Sequence, residues 1–150
     1  LRSRESGVIL TIYPIIHRKS FPSTHWSHYF NMTFPDVLSK LQTDDATMVE
    51  LDIDPRLQAF EGHFDSFPIV PGVIQIQWAL HFFQQIFHSE SSAIVWRINK
   101  VTALKFQHVI APHSKVNLHL SFDEAKCCLT FKFSNEEHTY SSGKLFLEKG

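Results

Sequence analysis

An uncharged stretch in the middle of the chain, Ser66 to Ser89, constrains the fold most strongly. Pro71 suits the first turn of a helix, and we predict a helix over Gly72–His88. Its apolar residues lie almost all the way round: Val73, Ile74, Ile76, Trp78, Ala79, Leu80, Phe82, Phe83, Ile86 and Phe87. A helix this apolar must be enclosed by other elements. The two prolines, four glutamines and two histidines of the stretch favour a buried helix over a membrane span.

The helix keeps one polar stripe, formed at helical spacing by Gln77, His81, Gln84 and His88, with Gln85 beside it. The enclosing layer is predicted from residues that alternate between apolar and polar with a period of two. Strands are predicted at Thr47–Ile53, Ser114–Phe122, Cys127–Phe133 and Thr139–Leu147, with a bent strand at Ala93–Phe106 and a strand or helix at Phe34–Leu41. The sequence therefore predicts an α+β fold in which a curved antiparallel sheet wraps one long central helix. The edges of such a sheet are left for pairing with a second copy.

Composition excludes several classes of function. The net charge is −1 and no Lys/Arg-rich stripe occurs, so nucleic-acid binding is not expected. The only cysteines, Cys127 and Cys128, are adjacent, which favours reduced, apolar filler side chains and a cytoplasmic protein. His25 and His28 lie in a Ser/Pro-punctuated segment typical of a loop, so we expect no metal site. Residues 1–31 read as an N-terminal extension of unknown role, and residues 32–150 as one domain.

The candidate catalytic residues lie just before the helix and at its first residue. His63 is the strongest acid–base candidate of its loop, because imidazole titrates near neutral pH. Gly72 begins a helix whose unpaired N–H groups suit a carbonyl oxygen that gains negative charge. The Phe-rich helix and sheet could line a channel for an acyl chain. Together these features indicate proton abstraction beside a thioester carbonyl, whereas His63 taken alone would favour an ordinary loop histidine.

The segment Gly62 to Ala79, "GHFDSFPIVPGVIQIQWA", resembles the signature of the hot-dog-fold β-hydroxyacyl-ACP dehydratases, the FabA/FabZ group. The "PGVIQIQWA" variant, with Gln75 and Trp78, is closest to the ApeI-like thioester dehydratases of aryl-polyene clusters. The segment Leu104 to Leu120 also resembles the stretch that follows the helix in this family. The resemblance implies a dehydratase that forms a trans-2-enoyl thioester in fatty-acid or aryl-polyene-like lipid biosynthesis.

The resemblance also implies roles for single residues. His63 would be the catalytic base that removes the α-proton, and Phe64, Pro71, Gly72 and Val73 would bind substrate. It implies no cofactor, an acyl-carrier-protein or CoA thioester as substrate, and active sites shared across a homodimer, a higher oligomer or a heterodimer with a paralogue. Gln77 stands where the family has Asp or Glu, and a carboxamide cannot release a proton as a carboxyl can. Its position implies a catalytic role limited to hydrogen bonding.

Two substitutes for the missing carboxyl stay open. His81 lies one helical turn beyond Gln77 and could act as the acid. Alternatively, His63 could carry out both proton transfers while Gln77 holds the hydroxyl. Glu61 and Asp65 flank His63 and could orient its ring. Two other functions also stay open: a hot-dog acyl thioesterase, for which the helix lacks a carboxylate, and a non-catalytic subunit that binds acyl thioesters.

Overall fold

Six strands and one long helix make up the part of the chain that the computed structural model describes, residues 32–61, 68–87 and 95–150. The strands are β1 Asp36–Gln42, β2 Thr47–Ile53, β3 Trp96–Phe106, β4 Ser114–Asp123, β5 Cys128–Ser134 and β6 Thr139–Lys149. The helix α1 spans Gly72–Phe87, and a short 3-10 turn spans Gln58–Phe60. The predicted helix and all the predicted strands of the domain are therefore present, with ends that differ by at most a few residues.

The strands form one antiparallel sheet in the order β1-β2-β4-β5-β6-β3. The connection that contains α1 joins β2 near one edge of the sheet to β3 at the other edge. One row of directly paired residues crosses five strands: Val49, Leu118, Phe133, Ser141 and Phe106. Because opposite residues share a face, this row lies on the side of the sheet that carries the core.

The core fills the space between α1 and the sheet. Residues of β2 and β4 are alternately buried, as the period-two pattern predicted. The central helix contributes its own buried side chains, which include Trp78, Ala79 and Phe83, each at most 1% exposed. Trp78 packs edge-on against Phe133, with 6.4 Å between ring centroids. Burial of this apolar face holds the helix inside the curve of the sheet.

Three local features refine the sequence interpretation. The segment predicted as strand or helix is the strand β1, which pairs with β2 and has all its residues exposed. The bend expected in β3 is real, since the pairing with β6 shifts register twice and Ala103 has a φ of 53°. Cys127 does not continue the apolar row of β5, because its φ of 49° places it in the turn before the strand.

No helix among the described residues is long and apolar enough to cross a membrane. Within the same residues, no three His, Cys, Asp or Glu side chains cluster as metal ligands would. The extension at residues 1–31, which contains His25 and His28, lies outside the described residues.

Candidate active site

The start of α1 is held by backbone hydrogen bonds on both sides of Pro71. The Val70 N–H donates to the Ile110 carbonyl at 2.9 Å, which ties the chain before the helix to the segment before β4. The Pro71 carbonyl accepts from the N–H groups of Ile74 and Gln75, at 3.0 and 3.1 Å. Proline supplies no N–H of its own, so it begins the helix without losing a hydrogen bond.

The next two N–H groups, those of Gly72 and Val73, have no acceptor among the described residues. Such groups carry the positive end of the helix dipole. The first turn contains no acidic side chain that would neutralise it. The Val73 side chain is 45% exposed. This end of the helix can therefore donate hydrogen bonds to an oxygen that carries partial negative charge.

Gly72 leaves room for an aromatic ring beside the helix start. A Cβ at this position would lie 2.5 Å from Cζ and 2.8 Å from Cε1 of Phe106, well inside normal contact distance. The Phe106 ring, at the end of β3, is 49% exposed although it covers the first residue of the helix. Glycine thus lets an aromatic side chain of the sheet edge approach the helix backbone closely.

A buried polar network stands directly behind this helix start. The Gln75 side chain is 3% exposed, and its Nε2 donates to the Val70 carbonyl at 3.0 Å. Its Oε1 accepts from the hydroxyl of Ser141, which is fully buried, at 2.6 Å. Ser141 pairs directly with Phe106 in the sheet. The residues around Gly72 therefore belong to one connected structure.

Gln77 lies on α1 beyond these contacts and is partly buried. No described residue forms a hydrogen bond with its side chain. Its amide can both donate and accept, so it is able to form hydrogen bonds with a hydroxyl or a water molecule. It has no ionisable proton at ordinary pH.

His81 packs against two aromatic rings. Its ring stacks on Phe34 with 3.6 Å between centroids and 5° between planes, and it meets Phe82 edge-on at 4.9 Å. Burial lowers the pKa of His81 from 6.5 to about 4, because the charged form loses its hydration. At neutral pH this imidazole is neutral, which makes it a poor candidate for a cationic acid.

The remaining candidate residues are placed as follows. His63, Phe64 and Asp65 lie outside the described residues, and Glu61, which is exposed, is the last described residue before them. The structure thus brings Pro71, Gly72 and Val73 together at the start of the helix, with Gln77 and His81 further along it.

Sequence reasoning quoted Gln75 in the motif but gave it no role, and it missed Ser141 and Phe106. A signal for Gln75 was present, since it interrupts the apolar side of the helix instead of joining the polar stripe. Ser141 and Phe106 gave no such signal, because only the pairing of β3 with β6 brings them to the helix.

Comparison with known proteins identifies the protein family of this chain. The ApeI-like family, described as ApeI dehydratase, matches residues 39–144, more than half of the chain. The chain belongs to the ApeI dehydratase family. The sequence-based expectation of an ApeI-like dehydratase with the hot-dog fold is thereby confirmed. No curated protein matches the sequence.

Solved structures agree with this assignment. The dehydratase heterocomplex ApeI:P from Xenorhabdus doucetiae is 32% identical with a TM-score of 0.65, and the match covers 75% of this chain and 96% of that chain. An uncharacterized protein from Erwinia carotovora subsp. atroseptica is also 32% identical, with a TM-score of 0.63 and coverage of 78% and 98%. The dehydratase domain of PpsC from Mycobacterium tuberculosis, 16% identical with a TM-score of 0.58 over 79% of this chain and 45% of that chain, shares the fold.

Proposed function

We propose that this dehydratase converts a 3-hydroxyacyl thioester, carried by an acyl carrier protein, into the trans-2-enoyl thioester. The observation that carries the proposal is the start of α1, where the N–H groups of Gly72 and Val73 have no acceptor among the described residues. Donors of this kind suit a thioester carbonyl, whose oxygen gains negative charge when the α-proton is removed. Membership of a dehydratase family supports the same reaction class.

In the proposed reaction, His63 removes the α-proton and the Gly72 N–H stabilises the charge on the carbonyl oxygen. The bond between the β-carbon and its hydroxyl then breaks, and the hydroxyl leaves as water after it takes a proton. Gln77 donates a hydrogen bond to that hydroxyl but cannot supply the proton. His81 is neutral at neutral pH because burial lowers its pKa to about 4. We therefore assign both proton transfers to His63, which returns to its neutral form when the water departs.

Turnover of a 3-hydroxyacyl-ACP to the enoyl product tests the function directly. The wild-type protein is expected to form enoyl-ACP, and His63→Ala is expected to lose at least about 100-fold in rate, the usual contribution of a positioned base. His113→Ala is the matched control, since it removes an exposed histidine from the turn before β4. Absence of turnover by the wild type, or equal rates in the wild type and His63→Ala, would refute the proposal.

Gln77→Glu separates a working glutamine from a degenerate site. If Gln77 positions the hydroxyl as proposed, an ionised carboxylate removes its donated hydrogen bond and the rate falls. A large rise in dehydration would instead identify the protein as a binding subunit that has lost its acid.

Release of free thiol from an acyl-CoA, followed with a thiol reagent, would reveal a thioesterase. The helix carries no Asp or Glu to activate the attacking water for that reaction.

We further propose that the active enzyme is a dimer in which a second copy or a paralogue pairs with β3. The name of the related heterocomplex describes a dehydratase assembled from two components. The strand β3 is an edge strand of the sheet, and Leu104 and Phe106 on it are 39% and 49% exposed. Leu104→Asp is expected to yield monomers by light scattering. Leu41→Asp on the opposite edge strand, where Leu41 is 60% exposed, is the control. Equal effects of the two substitutions would contradict this choice of edge.

A further inference from the structure

We propose that Gln75 is a positioning residue, whose buried amide fixes the helix start that presents the Gly72 N–H to the substrate. This inference rests on the proposed function, because it assigns Gln75 to the same site. In this proposal Gln75 does not contact the substrate. It acts only through the backbone of the segment that precedes α1.

The orientation of the Gln75 amide follows from its partners. A backbone carbonyl can only accept, so the atom 3.0 Å from the Val70 oxygen must be the amide nitrogen. The amide oxygen therefore faces Ser141, whose hydroxyl donates to it at 2.6 Å. Gln75 and Ser141 are 3% and 0% exposed, so water cannot easily replace either bond.

These two bonds connect the chain before the helix to β6, the strand next to the edge strand β3. Val70 has both backbone polar groups engaged, its N–H by Ile110 and its carbonyl by Gln75. Val70 is followed directly by Pro71 and Gly72, so its position sets where the helix begins. Ser141 is the third residue of β6 and pairs with residues of both neighbouring strands, so the helix start is held against a strand that is hydrogen-bonded on both sides.

An amide side chain satisfies both partners at any ordinary pH, because it carries a donor and an acceptor and does not ionise. Leucine would leave the Val70 carbonyl and the Ser141 hydroxyl buried without partners. An ionised carboxylate could accept from Ser141 but would repel the Val70 carbonyl. A protonated carboxyl could do both, since its O–H donates and its other oxygen accepts. Gln75→Glu therefore makes the network depend on pH.

The location matters for catalysis because oxyanion donors act only at short range. A displacement of about 1 Å in such a group can cost about 100-fold in rate. The N–H groups at Gly72 are two residues from Val70, so loosening of the Val70 carbonyl moves the donors themselves. The loss is expected in kcat more than in KM, because the interaction strengthens in the transition state.

The test compares Gln75→Glu with Gln84→Glu across pH, using 3-hydroxyacyl-ACP and the wild-type protein as reference. Gln84 lies on the same helix, and toward the described residues it uses only its oxygen, which accepts from the backbone N–H of Trp96 at 2.9 Å, a bond that a carboxylate can also accept. We expect the ratio of Gln75→Glu to wild-type kcat to fall by at least about tenfold as the introduced carboxyl ionises with rising pH. The ratio for Gln84→Glu is expected to stay flat.

Two further measurements keep the result decisive. Ser141→Ala retains the Val70 bond but removes the anchor to the sheet, so a smaller drop in kcat is expected even if Gln75→Glu does not fold. Amide hydrogen exchange at Ile74 and Gln75, which donate to Pro71, reports the helix start without catalysis. If the wild type has no dehydratase activity, the proposed function fails, and faster exchange in Ser141→Ala still supports the positioning role. The positioning role would be overturned by two results together: unchanged hydrogen exchange in Ser141→Ala, and a kcat ratio of Gln75→Glu to wild type that varies with pH as little as that of Gln84→Glu.

Discussion

Replacement of Gly72 by alanine should reveal the contact between the helix start and the sheet edge. The new Cβ would lie 2.5 Å from Cζ of Phe106, about 1 Å closer than carbon atoms normally pack. The ring is already 49% exposed, so it can escape into solvent and lose the burial it has. Complete burial of a phenylalanine contributes about 1.5–3 kcal/mol, so loss of roughly half of it costs about 1 kcal/mol.

The substitution also has a favourable component. Gly72 is the first residue of a helix and is not in a left-handed conformation, so alanine is compatible with its backbone. Such replacements stabilise proteins by about 0.4–1 kcal/mol, because they restrict the unfolded chain. We therefore expect Gly72→Ala to be neutral or destabilising in the wild-type protein. In a Phe106→Ala background it should be stabilising, which gives a coupling of about 1 kcal/mol between the two sites.

Urea unfolding of the four proteins, at one fixed protein concentration in case they associate, measures this coupling. Equal effects of Gly72→Ala in the two backgrounds would refute the reasoning. A stabilised single variant would also refute it, because the ring would then not occupy the space above Gly72.

Two other predictions follow from neighbouring contacts. Gly143→Ala should destabilise by about 1–3 kcal/mol in urea unfolding, more than Gly72→Ala, because its Cβ would lie 2.9 Å from the ring of the fully buried Phe131, which cannot move into solvent. A smaller loss than for Gly72→Ala would contradict this. For His81, the folded pKa of about 4 lies below the usual 6.5, so the unfolded chain binds a proton that the folded protein excludes. Stability should therefore fall as pH drops from about 6.5 to about 4, by at most about 3 kcal/mol. His81→Phe should show a weaker pH dependence of the unfolding free energy, and an identical dependence in both proteins would exclude this cause.

The sequence alone determined the architecture, because helices and strands are encoded by periodic patterns of apolar residues within short segments. The uncharged, almost entirely apolar run after Pro71 required an enclosing layer, and alternation in segments such as Thr47–Ile53 supplied the strands with the correct faces. The Gly62–Ala79 motif identified the family for a similar reason, since residue types at fixed spacing surround a helix start. The sequence did not decide whether β1 is a strand or a helix, because a fully exposed edge strand has no alternation between buried and exposed positions.

The tertiary structure decided what surrounds the helix start. Ser141 lies 66 positions after Gln75, and Phe106 lies 34 positions after Gly72, so no local pattern connects either pair. They meet because β3 and β6 pair at one end of the sheet and place both side chains against the first turn of α1. Burial of His81 against Phe34 likewise depends on chain segments that are distant in sequence, and it changes the charge state that composition would suggest. The sequence determined which fold forms and which residues are candidates, whereas packing between distant segments determined how the helix start is held and which groups near it can ionise.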